Sequence, residues 1–144
     1  MKSRATATWS GDLFGGSGTT TLAGSGAAGP LPVSWASRTE EAKGNTSPEE
    51  LIASAHASCY CMALSNVLAQ AGHAPDKLDV EAEATFQKVD AGWRLTNMAL
   101  SVTGSVPGMT AEQFAESAAA AKDGCPVSNA LKGNVEITAK ATLA

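Results

Sequence analysis

Three cysteines are the residues of this chain with the widest range of chemistry, and they lie in two short segments. Cys59 and Cys61 fall within the stretch SPEELIASAHASCYC, which begins at Ser47, and Cys125 stands in the stretch DGCPVS. A cysteine can pack in an apolar core, bind a metal ion, or act as a nucleophile through its thiolate. The spacing of the three residues limits which of these roles each can take.

The two neighbouring cysteines point in different directions on a helix. Two residues correspond to about 200° around the helix axis, so Cys59 and Cys61 cannot share a ligand or bond to each other while the helix is intact. His56 and Cys59, three residues apart, share a face and could join Cys125 in a zinc site. On residue type alone, the favoured interpretation is that His56 and Cys59 are core residues of an apolar helix. Spacing alone does not overturn that interpretation.

The second cysteine segment and the charged residues indicate where a thiolate would be stabilised. Cys125 precedes Pro126 at the start of a short predicted turn of helix, where backbone N–H groups favour the thiolate. Cys59 lies in mid-helix, where burial raises the thiol pKa, so its thiolate requires a cation from another element. Arg38 is the nearest arginine upstream. Glu49, by itself, is an acidic residue at a helix start, which the helix dipole favours.

The strongest predicted element is a helix from Ser47 to Ala71 that carries two of the cysteines. Ser47 is a suitable N-cap, Pro48 suits the first helical position, and Glu50 completes a Ser-x-x-Glu capping box. The predicted buried face contains apolar residues at helical spacing, namely Ile52, Ala55, Cys59, Met62, Ala63, Val67 and Leu68. The helix is too apolar for a surface helix, so we expect a second subunit to cover part of it.

Alternating segments predict strands on both sides of this helix. Extended stretches around 2–9, 19–25 and 31–38 predict three short strands before it, and alternation over 78–89 and 93–106 predicts an antiparallel pair after it. A second capping box, Thr110 with Gln113, begins a helix over 111–123, and 134–143 is a last strand. The order βββαββαβ predicts an α+β fold with a mainly antiparallel six-stranded sheet and two main helices, in a single domain of residues 1–144.

Composition narrows the functional class and the compartment. The net charge is −4, and the ten Lys and Arg residues are scattered, so neither a nucleic-acid partner nor a membrane surface is expected. Three cysteines fit a secreted disulfide framework poorly. The N-terminal segment lacks the apolar core of a signal peptide, and no apolar run approaches the ~20 residues that span a bilayer. We therefore expect a cytoplasmic protein with reduced thiols.

Three segments together resemble the OsmC/Ohr family of peroxiredoxin-like hydroperoxide reductases, and its osmotically inducible OsmC branch in particular. They are NTSPEELIASAHASCYCMALS, VDAGWRLTNMALSVTGSVPG and AKDGCPVSNALKG, and the upstream stretches WSGD and RTEEAKG add to the resemblance. The likeness covers nearly the whole chain in one order. Its specific part is the joint occurrence of Pro-Glu-Glu-Leu ahead of a helical cysteine and a distant Cys-Pro-Val-Ser.

The resemblance implies a thiol peroxidase for organic and fatty-acid hydroperoxides, with hydrogen peroxide a poorer substrate. By position, Cys59 matches the peroxidatic cysteine and Cys125 the resolving cysteine, while Arg38 matches the arginine that supports the thiolate and Glu49 the glutamate that orients this arginine. The resemblance also implies reduction by a dithiol or a lipoylated protein, no metal or other cofactor, and an intertwined homodimer with its sites at the subunit interface. Cys61 departs from the family pattern, and we interpret it as a packing residue.

The implied dimer bears on a geometric conflict. In one straight helix Glu49 and Cys59 are roughly 15 Å apart along the axis and about 80° apart in direction, so Arg38 can hardly contact both. Either the regular helix starts later than its capping box indicates, or one of the three residues comes from the other subunit, and we favour the second explanation, with Arg38 as that residue. The alternative function is a non-catalytic redox sensor, or a binding module for apolar ligands, that uses the same cysteine pair.

Overall fold

The computed structural model describes all 144 residues, which divide into two compact units, Met1–Leu51 and Ile52–Ala144. The elements follow in the order β1 (Thr6–Ser10), β2 (Ser17–Thr21), β3 (Leu31–Val33), α1 (Ala36–Thr39), α2 (Pro48–Gln70), β4 (Lys77–Val89), β5 (Gly92–Ser105), α3 (Ala111–Gly124), α4 (Pro126–Leu131) and β6 (Glu136–Leu143). The predicted strand order is present, with two short helices in addition to the two main ones.

The first unit is an antiparallel sheet followed by a short helix that carries Arg38. Strands β1, β2 and β3 pair in sequence order. The third strand was expected to extend through Arg38, but it ends at Val33 and the chain turns into α1. The Ser37 hydroxyl fixes this turn, since its Oγ lies 2.8 Å from the carbonyl oxygens of both Ser34 and Thr46. A four-residue helix is too short to show a period in the sequence.

The second unit packs helices on a sheet of three long strands. Strands β4 and β5 form an antiparallel hairpin, and β6 pairs with β5 in parallel, because α3 and α4 carry the chain back to the starting edge. The ring of Phe114, at the start of α3, is fully buried against β5. Gly104 makes this packing possible, since a Cβ there would lie 2.4 Å from Phe114 Cζ.

The six strands form two sheets of three in this chain, with orders β1-β2-β3 and β4-β5-β6. The expectation of one six-stranded sheet is therefore not met within a single chain. The reason is that α1 and the 23-residue helix α2 separate β3 from β4 along the chain, and β3 pairs with β2 only. The mainly antiparallel character holds, with the β5–β6 pair as the parallel exception.

Helix α2 begins where its N-cap predicts, but it buries a different face. Ser47 Oγ accepts the backbone N–H of Glu50 at 3.1 Å, whereas the Glu50 carboxylate accepts the hydroxyl of Thr46 and does not complete the capping box. The fully or nearly buried residues of α2 in the second unit are Ala53, His56, Tyr60, Leu64 and Leu68. Cys59 is half-buried and Met62 is 67% exposed, so the predicted face was wrong by one residue. Because α2 is apolar on every side, its periodicity could not select one.

The length and composition of α2 also meet the requirement for crossing a membrane. Its 23 residues include a stretch with a mean hydropathy of 1.3, of which 28% is buried within the chain. This corrects the expectation that no apolar run approaches that length. Scattered Ser, His and Asn residues interrupt the run but leave its average apolar. The core helix of a soluble protein passes the same test.

Candidate active site

Two of the three cysteines meet in the second unit. Cys59, from the middle of α2, and Cys125, at the N-cap of α4, are free thiols that lie close enough for each to shift the pKa of the other. Cys125 is fully buried, with 0% of its surface exposed, while Cys59 is half-buried. The prediction that Cys125 precedes a short helix is confirmed, because Pro126 occupies the first turn of α4. Two free thiols that influence each other's pKa within one chain are the arrangement from which a disulfide can form.

The pKa values of the two thiols in this pair are shifted in opposite directions. Burial raises the pKa of the Cys59 thiol, and hydrogen bonding to Cys125 and the charge on Cys125 raise this pKa further. The backbone N–H of Val127 acts in the opposite direction and lowers it. Within the pair, therefore, the Cys59 thiol is the donor and keeps its proton longer.

Cys125 is the more acidic of the two thiols. Burial by itself raises the pKa of Cys125, but hydrogen bonds from its surroundings outweigh burial and lower the pKa below its ordinary value. The backbone N–H of Ser128 contributes most, followed by the thiol of Cys59 and the hydroxyl of Ser128. The charge of a singly deprotonated pair thus rests on the Cys125 sulfur.

The second predicted pair, Arg38 and Glu49, meets in the first unit. Arg38 Nη2 lies 2.6 Å from Glu49 Oε1 and Arg38 Nε lies 3.1 Å from Glu49 Oε2, so the guanidinium binds the carboxylate through two parallel hydrogen bonds. The side chains are 27% and 10% exposed, respectively. Such a two-pronged pair fixes the plane of the guanidinium and holds its positive charge in place.

Trp35 is a residue of this site that the sequence did not reveal. Its ring lies against the arginine, with Arg38 Cζ 5.5 Å from the ring centroid, and Phe14 contacts the ring edge-on at 5.9 Å. A tryptophan three residues before the arginine becomes a signal only once α1 is known to be helical, because this spacing then places both on one face.

Arg38 also borders an apolar cavity of about 320 Å³ in the first unit. The cavity is lined by Trp9, Leu13, Val33, Ser34, Trp35, Arg38 and Pro48. Most of these side chains are apolar, and Arg38 supplies the only charge among them. The cavity is suited to an apolar group that carries a polar head.

His56 and Cys61, the other candidate residues on α2, have separate roles. His56 is fully buried and its Nε2 lies 2.7 Å from Ser128 Oγ, which confirms the interpretation of a hydrogen-bonded core histidine. Cys61 Sγ donates to the carbonyl of Leu78 at 3.7 Å, and burial followed by the charge of Asp79 raises its pKa. Three His, Cys, Asp or Glu side chains do not converge anywhere in the structure, so the zinc alternative finds no ligand set.

The four predicted catalytic residues thus form two local pairs, Cys59 with Cys125 and Arg38 with Glu49. Helix α2 is regular from Pro48 onward, so it does not start after Glu49. The first of the two explanations for the helix geometry is therefore wrong.

Comparisons with known proteins agree on one family. The family model described as "OsmC-like protein" matches residues 40–140. The chain is 43% identical over 129 residues to the Peroxiredoxin OsmC of Escherichia coli (strain K12), with 90% of this chain and 89% of the relative covered. It is 28% identical over 94 residues to the Organic hydroperoxide resistance protein of Xanthomonas axonopodis pv. citri, with 65% and 64% covered.

Solved structures show the same fold. The organic hydroperoxide resistance protein OhrB of Bacillus subtilis matches with a TM-score of 0.74 at 22% identity, covering 99% of this chain and 98% of that one. An OsmC-like protein of unknown function from Vibrio cholerae matches with a TM-score of 0.76 at 16% identity, covering 98% and 99%. The α+β topology described above is thus shared by distant relatives.

Proposed function

Since the chain belongs to the OsmC-like family and is a peroxiredoxin-like protein, we propose that it is a thiol-dependent peroxidase for organic hydroperoxides, and less well for hydrogen peroxide. Cys59 is the peroxidatic cysteine and Cys125 the resolving cysteine. The observation that carries this proposal is the pair of neighbouring free thiols, Cys59 and Cys125, within one chain. The curated relatives with peroxiredoxin and hydroperoxide-resistance names support the reaction class.

The first step consumes the peroxide. The Cys59 thiolate attacks one oxygen of the O–O bond, which breaks; the sulfur becomes a sulfenic acid, and the other oxygen leaves as an alkoxide that takes up a proton to form the alcohol. In the second step the Cys125 sulfur attacks the Cys59 sulfur, the S–O bond breaks, and water leaves. The resulting disulfide protects Cys59 from further oxidation, and a dithiol or a lipoylated protein reduces it. No metal or other cofactor enters these steps.

Arg38 supplies the positive charge that the first step requires. Cys59 lies in mid-helix and its pKa is raised by burial, so its thiolate needs a cation. The guanidinium of Arg38, held flat by Glu49, can stabilise both the thiolate and the departing oxygen. Because Glu49 and Cys59 are about ten residues apart on one regular helix, we propose that Arg38 and Glu49 of one subunit serve Cys59 of the other in a homodimer.

The substrate class follows from the surroundings of Arg38. The neighbouring cavity of about 320 Å³ is lined mainly by apolar groups, which favours an organic hydroperoxide with an apolar body over hydrogen peroxide. Arg38 at its border would hold the peroxide group. We place this reaction in the cytoplasm, where a dithiol keeps the cysteines reduced.

The test is steady-state peroxide consumption by the purified protein with a dithiol, across hydrogen peroxide, tert-butyl hydroperoxide and cumene hydroperoxide. We expect many turnovers per subunit and a higher kcat/KM for the two organic peroxides. Intact mass after one equivalent of peroxide, with and without the dithiol, distinguishes a redox sensor, which oxidises once and stops. A protein that oxidises once and does not turn over would contradict the proposed function.

A further inference from the structure

Behind the thiol pair lies a buried row of polar groups that the proposed reaction does not use. His56, on α2, is fully buried, and Ser128, on α4, is 5% exposed; His56 Nε2 and Ser128 Oγ are 2.7 Å apart. Ser128 is the third residue of α4, whose N-cap is Cys125, and hydrogen bonding from its backbone N–H and its hydroxyl lowers the pKa of Cys125. The row therefore runs from an imidazole through a hydroxyl to a cysteine of the redox pair.

The free nitrogen of His56 gives this row a direction. His56 Nδ1 is buried and has no hydrogen-bond partner in the chain, and burial lowers the pKa of His56, which keeps the ring neutral. A neutral ring carries one N–H. On Nδ1 that N–H would be a buried donor without an acceptor, which folded proteins avoid more strictly than an acceptor without a donor. The N–H therefore lies on Nε2, which donates to Ser128 Oγ and leaves the Ser128 proton for Cys125.

We propose that His56 and Ser128 are positioning residues that form a one-way row of hydrogen-bond donors ending at the Cys125 sulfur, and that this row makes Cys125 the leaving thiolate when the Cys59–Cys125 disulfide is reduced. This inference rests on the proposed function, because it concerns the disulfide of that cycle. It concerns a different step from peroxide reduction, namely which sulfur the reductant attacks.

The step balances as an ordinary thiol–disulfide exchange. A thiolate of the reducing dithiol attacks Cys59 Sγ; a new S–S bond forms there, the Cys59–Cys125 bond breaks, and its electron pair leaves on Cys125 Sγ. The second thiolate of the dithiol then attacks the other sulfur of the same dithiol, which is bonded to Cys59 in the mixed disulfide. The bond to Cys59 breaks, and the Cys59 sulfur takes up a proton. The dithiol is oxidised by two electrons and both cysteines are reduced.

Access and leaving-group strength both direct the attack to Cys59. Cys59 is half-buried, whereas Cys125 has no exposed surface. The better leaving group is the thiol whose thiolate is stabilised, and the donor row ends at Cys125.

The row is tested by the pKa of Cys125 in a background with Cys59→Ser and Cys61→Ser, where it is the only thiol. The ultraviolet absorbance of the thiolate against pH gives this pKa without requiring access for a reagent. We expect Ser128→Ala to raise the pKa of Cys125 by about one unit, since a hydrogen bond to a charged sulfur is lost. Ser128→Thr keeps the hydroxyl and the low pKa.

Removal of the imidazole should act in the same direction through Ser128. His56→Phe, and His56→Gln as a second variant, are expected to raise the pKa of Cys125, by less than Ser128→Ala does. The matched control is Tyr60→Phe, which removes another buried hydrogen bond of α2, from Tyr60 Oη to the Ala118 carbonyl, and should leave the pKa unchanged.

The Ser128 and His56 variants keep the other titratable groups near Cys125 in place. These are Tyr60 from α2, whose own pKa is raised to about 12 by burial and by the charge on Cys125, and the surface charges that line a cavity next to Ser128, namely Lys122, Asp123 and Lys132. The control Tyr60→Phe removes only a group that is neutral in the pH range where Cys125 titrates, because the pKa of Tyr60 is about 12. Serine in place of Cys59 keeps a hydroxyl donor toward Cys125. A change in pKa is therefore assigned to the donor row, and an unchanged pKa in Ser128→Ala and in a folded His56 variant would overturn the proposal.

The direction of attack is tested on the unsubstituted protein. After oxidation to the disulfide, brief reaction with 2-mercaptoethanol and an acid quench, peptide mass spectrometry should find the mixed disulfide on Cys59. An adduct on Cys125 would contradict the assignment of the leaving group. Lack of peroxide turnover would count against the proposed function only, because a disulfide made with diamide and the pKa of Cys125 are measured without it.

Discussion

At the scale of single residues, the acidity of the two thiols sets what Arg38 has to do. The surroundings of the pair lower the pKa of Cys125 and raise that of Cys59, so the chain by itself stabilises the thiolate on Cys125, the proposed resolving cysteine. The proposed peroxidase reaction needs the charge on Cys59. In this proposal the guanidinium of Arg38 must therefore overcome a preference for Cys125 as well as the cost of burying a charge.

Substitution of the cysteines separates their roles. Cys59→Ser should abolish turnover of cumene hydroperoxide, because no other thiol can take the nucleophilic role. Cys125→Ser should react with peroxide and then accumulate sulfinic acid on Cys59, because no thiol condenses with the sulfenic acid. Intact mass after increasing amounts of peroxide checks both.

The control for these variants is Cys61→Ser. The Cys61 sulfur donates to the Leu78 carbonyl and lies on another side of α2, so its loss should leave the turnover rate unchanged. Full activity in Cys59→Ser would contradict the assignment of the nucleophile.

Substitution of Arg38 tests the need for a planar, always charged donor. Arg38→Lys keeps the charge but loses the two-pronged pair with Glu49, and we expect the rate with hydroperoxide to fall by about 10²-fold. The remaining activity should shift to higher pH, because the Cys59 thiolate is less stabilised. The pH dependence of kcat/KM measures both effects.

Lys43→Ala is the matched control, since Lys43 is the other cation of this region that sequence alone could place in the role. Its Nζ lies 3.6 Å from Glu41 and both side chains are about three quarters exposed, at 75% and 76%. An exposed pair of this kind contributes little. A large loss of activity in Lys43→Ala with none in Arg38→Lys would exchange the two assignments.

At the scale of elements, the residues at which helices begin could be predicted from the sequence, whereas the buried face of a helix could not. Ser47 and Pro48 located the beginning of α2, and Thr110 with Gln113 formed the predicted capping box of α3. The buried face of α2 was missed because the helix is apolar all round, and a polar residue, His56, lies at its centre. Pairing between strands depends on the whole chain, so the two separate sheets could not be read from alternation.

The buried imidazole of α2 predicts how stability depends on pH. In the unfolded chain His56 titrates near its ordinary pKa of 6.5, whereas burial lowers the pKa in the folded protein. Just below 6.5 the unfolded state therefore binds more protons. The free energy of unfolding should be at its full value above this pH and should fall as the pH drops below it.

Urea unfolding on both sides of this pH measures the effect. His56→Phe should lose most of the decline, whereas His73→Gln should keep it, because His73 lies nearer the surface, where its Nδ1 hydrogen-bonds to the carbonyl oxygen of Pro107. A decline that disappears in His73→Gln and persists in His56→Phe would assign the pH dependence to His73 and contradict this prediction.

At the scale of the whole molecule, most of the apolar surface of α2 is not buried within one chain. Only 28% of its apolar stretch is buried within the chain, and Met62 is 67% exposed on it. A second copy of the chain that packs on this helix would bury apolar surface. It would also bring the Arg38–Glu49 pair of one chain to the Cys59 thiol of the other. The proposed homodimer thus accounts for an energetic and a catalytic requirement together.

Mixing two inactive variants tests this arrangement directly. Arg38→Ala lacks the cation and Cys59→Ser lacks the nucleophile, so each homodimer should be inactive. In a mixed dimer, however, the intact Cys59 of one chain would face the intact Arg38 of the other and form one complete site. After denaturation and refolding together, we expect about a quarter of the wild-type activity, because half of the randomly formed dimers are mixed and each has one complete site out of two.

The pairing of Arg38 with Glu49 sharpens this prediction. Because the structure holds the two side chains together within one chain, Glu49→Gln should behave like Arg38→Ala and also recover activity with Cys59→Ser. A mixture of the single variants Arg38→Ala and Glu49→Gln should recover much less activity, because each site of a mixed dimer then carries one of the two substitutions. If each site instead drew Arg38 and Cys59 from the same chain, no mixture with Cys59→Ser would exceed the activity of its parents.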